Sequence, residues 1–82
     1  MRYRVWLRDA LAALANLWMQ ASDPQAVADA SNRIDSELAR DPFAGATQFG
    51  DGLAKEHVPL RVLYEVDQGD LMVRVFAVKR IS

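Results

Sequence analysis

Arg61-Val-Leu-Tyr-Glu-Val-Asp-Gln-Gly-Asp-Leu-Met-Val-Arg-Val-Phe-Ala-Val-Lys-Arg80 has the composition of a β-hairpin. Two runs rich in Val, Leu, Tyr and Phe flank Asp67, Gln68, Gly69 and Asp70, a cluster of turn formers. In the first run Leu60, Val62, Tyr64 and Val66 share one face, and Arg61, Leu63 and Glu65 share the other. In the second, Leu71, Val73, Val75 and Ala77 alternate with Met72, Arg74, Phe76, Val78 and Arg80. A stable sheet does not need cations at Arg61, Arg74, Lys79 and Arg80, whereas a phosphate-binding or protein-docking sheet has a use for them.

Upstream of the hairpin, Pro59 starts the first of these strands at Leu60 or puts its beginning on an edge. Gly45, Gly50 and Gly52 mark residues 43–52 as a loop, and one short strand is expected from near Gln48 to His57. Further back, Ser22-Asp23-Pro24 is a helix restart, with Asp23 suited to the N-cap and Pro24 to the first helical position. The helix it opens runs to about Arg40, where Pro42 stops it. Its inner face is Val27, Ser31, Ile34 and Leu38; Asp29, Asn32, Arg33, Asp35 and Glu37 point outward. The preceding helix spans about 10 to 21, capped by Asp9, with Leu11, Leu14 and Trp18 as its buried stripe and Ala10, Ala13, Ala15 and Leu17 widening it. Residues 2–8 alternate as a half-buried strand, Tyr3, Val5 and Leu7 on one side and Arg2, Arg4, Trp6 and Arg8 on the other.

The order predicts an α+β, two-layer β-α-α-β-β(-β) fold of one domain, residues 1–82. A helical hairpin packs on one face of a small antiparallel sheet. The other face stays open, and an uncovered apolar patch there marks a partner site. Trp6, Leu63, Met72, Arg74 and Phe76 are its candidate partner-binding residues, with Val78 beside them.

With 82 residues, the chain buries only about 60–65% of its unfolded surface, which favours added stabilisation from a partner or a homodimer. The absence of cysteine and the single histidine argue against metal sites and disulfides and suit a cytoplasmic setting. Net charge is −1, against strong non-specific nucleic-acid binding. The middle of the chain is acidic, so a sheet that joins the two ends is expected to be locally basic. Arg2, Arg4 and Arg8 before an apolar run resemble a signal peptide, but Asp9 and Asn16 interrupt it and helical spacing accounts for it. No run is long enough to span a membrane.

The closing hairpin and the element order resemble the RelE/ParE superfamily of toxins from bacterial type II toxin–antitoxin modules, which includes the plasmid stabilisation family. Arg61-Val-Leu-Tyr64-Glu-Val looks like the family's strand pattern Y-R-hydrophobic-hydrophobic-Y. Val73-Arg-Val-Phe-Ala-Val-Lys79-Arg80 looks like its last strand, which commonly ends in His-Arg or Lys-Arg. The helix pair ending at Asp41-Pro42 and the glycine-rich stretch after it also fit. RelE-like members cleave mRNA on the ribosome, and ParE-like members poison DNA gyrase by binding it. Both are held inactive by an antitoxin whose C-terminal segment wraps the toxin. The resemblance therefore implies a toxin with a cognate antitoxin, no cofactor, and either gyrase or the ribosome with its mRNA as target.

In a nuclease of this kind, Arg61 would hold the phosphate, since a guanidinium matches phosphate oxygens but stays protonated and cannot act as a base. Lys79 and Arg80 match the family's terminal basic pair. Proton transfer needs another group, and Lys55 and His57, two apart on one strand face, are the candidates. The plainer readings are that Arg61 pairs with Glu65, that Tyr64 packs in the core with a wet hydroxyl, and that His57 and Arg74 are solvated. Cleaving members often place a tyrosine shortly after the terminal arginine, and they are usually basic; this sequence has neither property. The expected function is thus a toxin acting on a protein such as DNA gyrase. A ribosome-dependent mRNA endonuclease and a non-toxic relative that keeps only partner binding are the alternatives.

Overall fold

The computed structural model describes residues 3–81, so Arg2 and Ser82 lie outside the described residues. In chain order the elements are β1 (Tyr3–Trp6), α1 (Arg8–Gln20), α2 (Pro24–Arg40), β2 (Thr47–Phe49), β3 (Gly52–His57), β4 (Leu60–Asp67) and β5 (Met72–Arg80). The five strands form one sheet in the order β1-β5-β4-β3-β2. This is the expected α+β architecture with two differences. β1 pairs parallel to β5, so the sheet is mixed rather than antiparallel. The single strand expected from near Gln48 to His57 is a hairpin of β2 and β3, turned at Gly50, whose φ of 60° suits glycine.

The register sorts side chains into rows that alternate between the two faces of the sheet. One set of rows lies under the helices: Leu53–Tyr64–Val75–Trp6, then Lys55–Val62–Val78, and at one end His57–Leu60–Arg80. The central members Leu60, Val62, Tyr64, Val75 and Val78 are buried against Val27, Ala30, Ile34 and Leu38 of α2. The α2 stripe is thus as predicted, except that Ala30 takes the place given to Ser31, whose hydroxyl bonds back to the Ala28 carbonyl. α2 opens as read, with the Asp23 side chain accepting from Ala26 N–H at 3.3 Å and Pro24 in the first turn.

α1 departs further from expectation. It begins at Arg8 with Leu7 as N-cap and no side-chain cap, so Asp9 lies in its first turn and favours the helix through the dipole. Leu7 is held by its own backbone, N–H to the Val75 carbonyl at 2.9 Å. Only Ala10 of α1 is fully buried, with Ala13, Leu14 and Leu17 packed beside it. Leu11 and Trp18, expected in the inner stripe, are half exposed, and Ala15, expected beside it, is exposed as well. Alanines let α1 lie close to the sheet, and that close approach turns the larger residues at positions 11 and 18 outward.

β1 presents the opposite face to the one expected. Tyr3, Val5 and Leu7 are exposed, and Trp6 packs against the core. Its indole Nε1–H donates to Asp35 Oδ1 of α2 at 2.9 Å, and Arg4 pairs with Oδ2 of the same carboxylate at 3.1 Å. Asp35, read as a solvated residue, therefore ties the edge strand to the second helix. This orientation gives the half-buried indole the acceptor it needs, and α2 supplies it.

Just past the C-terminus of α2, the Tyr64 hydroxyl donates to the Pro42 carbonyl and Lys55 Nζ donates to the Ala44 carbonyl. Asp41 accepts from Phe43 N–H at 3.0 Å, which folds the chain back over the sheet. Burial of Tyr64, aided by Asp41 and Glu37, pushes its pKa up to about 12.

Asp35→Ala is expected to lower unfolding free energy by about 1–2 kcal/mol in urea titration, through loss of both β1 links. Tyr64 gives a signed pH effect. The folded protein keeps the phenol neutral to about 12, whereas its ordinary value is 10.0. The stability it contributes is intact below pH 10 and is lost as pH rises from about 10 to about 12. Urea midpoints measured across that window should fall for the native chain and fall less for Tyr64→Phe.

Candidate functional site

The rows on the uncovered face carry most of the charge of the C-terminal half. Glu56–Arg61–Lys79 forms one row, Ala54–Leu63–Ala77 the next, then Glu65–Arg74–Val5 and Asp67–Met72–Tyr3. The strand register shifts between Leu63 and Tyr64, leaving Phe76 as the extra residue of a bulge. The shift sends Val78 into the core instead of onto this face, where the uninterrupted alternation would put it. The ring of Phe76 lies over Gly52, where a Cβ would stand 3.4 Å from it and 2.8 Å from the Tyr64 carbonyl. Leu63, flanked in its row by two alanines, is buried in spite of facing outward.

Of the candidate partner-binding residues, Leu63, Met72, Arg74 and Phe76 share this face. Trp6 does not, for the reason its indole bond to Asp35 gives. Tyr3, Val5 and Phe49 belong to the face and were not among the candidates. They are exposed at 73%, 38% and 49%, enough apolar surface to matter for docking. Assigning β1's apolar side to the core hid the first two, and reading residues 43–52 as a loop hid the third.

The face is not basic. Arg61 Nε donates to Glu56 Oε2 at 2.6 Å across the β3–β4 pair, so its partner is Glu56 rather than Glu65. Arg74 lies 3.8 Å from Glu65 and 3.6 Å from Asp67. Arg61, Lys79 and Arg74 are thus matched in number by Glu56, Glu65 and Asp67. These pairs are solvent-exposed and each is worth only about 0–1 kcal/mol. They set the pattern of charge on the face more than its stability.

Alternation also divides the five candidate catalytic residues. Arg61 and Lys79 are neighbours on the open face. Arg80 is paired with buried Leu60 and lies on the helix side, beside Ser22 and Asp23 at the α1–α2 turn. Lys55 and His57 share a face, as expected, but it is the helix face. Lys55 is only 5% exposed and bound to the Ala44 carbonyl. His57 lines a groove with Arg33, Ser36, Glu37 and Arg40 of α2, and its Nδ1 is buried without a protein partner. Among the described residues no cluster of acidic, histidine or cysteine side chains suits a metal. No described helix is long and apolar enough to cross a membrane.

Solved structures with the same fold include a chain of the toxin–antitoxin complex RelBE2 from Mycobacterium tuberculosis. It is 17% identical with a TM-score of 0.80, and the match covers 96% of each chain. A chain of the intact E. coli RelBE toxin–antitoxin complex is 15% identical with a TM-score of 0.71, covering 100% of this chain and 99% of that one. No protein-family model matches the sequence, and no curated protein matches it. The fold expected from the element order is therefore the fold observed in RelBE structures.

Gly52→Ala tests how the open face is built. Its methyl would press on the Tyr64 carbonyl, a backbone atom that cannot swing away, and on the Phe76 ring. The variant is expected to lose about 1–3 kcal/mol of stability. Near-ultraviolet circular dichroism should report the displaced aromatic ring.

Proposed function

We propose that this chain is the toxin of a RelE/ParE-like type II toxin–antitoxin module, that it acts in the cytoplasm by gripping a protein target such as DNA gyrase, and that a cognate antitoxin neutralises it. The fold shared with RelBE complexes supports the toxin reading. The observation that carries the choice of mechanism is the row Glu56–Arg61–Lys79. A metal-free ribonuclease must deprotonate a 2′-hydroxyl, stabilise a pentavalent phosphorane and protonate the leaving oxygen. Arg61 and Lys79 suit the second task. The first and third need a group that changes protonation next to them.

On this face the neighbour of Arg61 is Glu56, already engaged by the guanidinium and repelling a phosphate. His57 and Arg80 project from the opposite side of the same sheet end, and Lys55 is spent on a backbone carbonyl. What remains is a face of balanced charges set among Tyr3, Val5, Phe49, Met72 and Phe76. Aromatic and aliphatic anchors ringed by matched ion pairs are the composition of a protein–protein contact. There the charges fix register and partner choice.

Induced expression in bacteria tests this. Growth arrest with filamentation, damaged DNA and intact transcripts is the expected result. Arg61→Ala is expected to weaken both toxicity and target capture by about 10-fold, the scale of one lost charged contact. Transcripts cut in a ribosome-dependent way, with cutting lost in Arg61→Ala, would overturn the protein-contact mechanism in favour of an endonuclease. A chain that binds an antitoxin and leaves growth untouched would overturn toxicity itself.

A further inference from the structure

Arg80 has no part in the open face, since it lies on the helix side of the sheet end, in register with buried Leu60. There it borders a cavity of about 190 Å³, where the α1–α2 turn meets the turn between β3 and β4. Leu17 and Ala21 at the end of α1, Val27 of α2, and Pro59 and Leu60 wall it with carbon. Val27 and Leu60 are buried, so the walls reach into the core. Ser22, Asp23 and Arg80, all exposed, supply the polar lining. Asp23 is already engaged as the N-cap of α2, accepting from Ala26 N–H. The guanidinium is therefore the group left to meet a guest. Other hollows lack this combination. The groove at His57 sets Arg33 and Arg40 against Glu37 and Glu56 and has no apolar wall. The groove at Leu11, Leu14 and Trp18 has no charged lining to orient a guest.

We infer that this cavity binds a small carboxylic acid whose apolar part is one ring or one branched chain, with the acid group against Arg80. Size sets the apolar part. An apolar cavity of about 150 Å³ holds a benzene molecule, so 190 Å³ takes one ring with a short substituent and no more. Charge sets the polar part. The carbon walls alone would accept any ring, and the cation beside them selects one that carries an acid. A guanidinium has five donors in a planar fork, and a carboxylate bound edge-on uses two of them. Arg80 can thus hold the acid while keeping another contact. The same chemistry comes as a free acid or as the last residue of a polypeptide, where a bulky side chain stands next to the terminal carboxylate. The inference does not depend on the toxin reading, since the cavity lies on the other side of the sheet from the open face.

Titration of the isotope-labelled full chain with phenylacetate, followed by NMR, tests it. Saturable shifts are expected at the amides of Leu17, Val27 and Leu60, with a dissociation constant on the order of 1 mM, the scale for a guest of about ten heavy atoms. Phenylacetamide, the neutral analogue of the same shape, should bind at least about 10-fold more weakly. Arg80→Gln should weaken phenylacetate by a similar factor and leave phenylacetamide unchanged, which separates a lost charge from a disturbed fold. Ala26→Leu, which fills the cavity from the first turn of α2, should abolish binding of both. N-acetylphenylalanine resembles the end of a polypeptide. Tighter binding than phenylacetate would assign the site to a chain terminus, and weaker binding to a free acid. The absence of saturable shifts at these amides up to about 10 mM, ten times the expected constant, would overturn the proposal. So would equal affinity for phenylacetate and phenylacetamide, or an Arg80→Gln variant that binds phenylacetate as the native chain does.

Discussion

The Tyr64 hydroxyl lies in the dry centre of the molecule, where a phenol without a partner would cost about 1–3 kcal/mol. The carbonyl that accepts its proton belongs to Pro42, just beyond the end of α2. That bond joins the central strand to the point where the chain leaves the helical layer, and much else follows from it. Pro42 is buried, Asp41 turns the backbone over the sheet, and Ala44 comes within reach of Lys55 on the next strand. A lysine otherwise available for chemistry thereby becomes a clamp. At the far edge, the Asp35 carboxylate plays the matching part for β1. α2 is tied to the sheet by polar bonds at Asp35 and just past its C-terminus, and along its inner face by Val27, Ala30, Ile34 and Leu38.

Alternation along β3, β4 and the part of β5 past its bulge has a consequence for function that no single residue shows. Lys79 and Arg80 are adjacent in sequence, yet a strand must send them to opposite faces. The same rule parts Glu56 from His57. At this end of the sheet the cations therefore cannot gather into one cradle, and each face receives its own mixture. The open face gets Arg61 and Lys79 with Glu56, and the helix face gets His57 and Arg80. Phosphate chemistry needs convergence within hydrogen-bond reach, whereas recognition of a protein tolerates charges spread along a row.

The sequence was most legible where one rule governed a segment. The in-out pattern of β4 followed from its alternation, and the start of α2 followed from Asp23 and Pro24, because turn chemistry and periodicity agreed there. It was least legible where two layers had to meet. Trp6 turned toward the helices because Asp35, nearly thirty residues away, offered its indole an acceptor. Leu11 and Trp18 turned outward because Ala10 and Ala13 made the closer fit to the sheet. The bulge at Phe76 shifted Val78 from one face to the other by a single residue, a change that composition cannot signal. The division of the candidate site followed from the register of three strands at once. Arg61 could be picked out from its strand, but its partner could not, since Glu56 and Glu65 are both plausible in sequence and only the β3–β4 pairing chooses between them.

A two-layer fold has one interior and two outsides. In so small a domain the interior takes only part of the apolar side chains, and the remainder must go to the outsides. Here it is not spread evenly. The outer face of α2 is charged, while most of the large exposed apolar residues collect on α1 and on the open sheet, which face away from each other. Neither patch competes with the other for a partner.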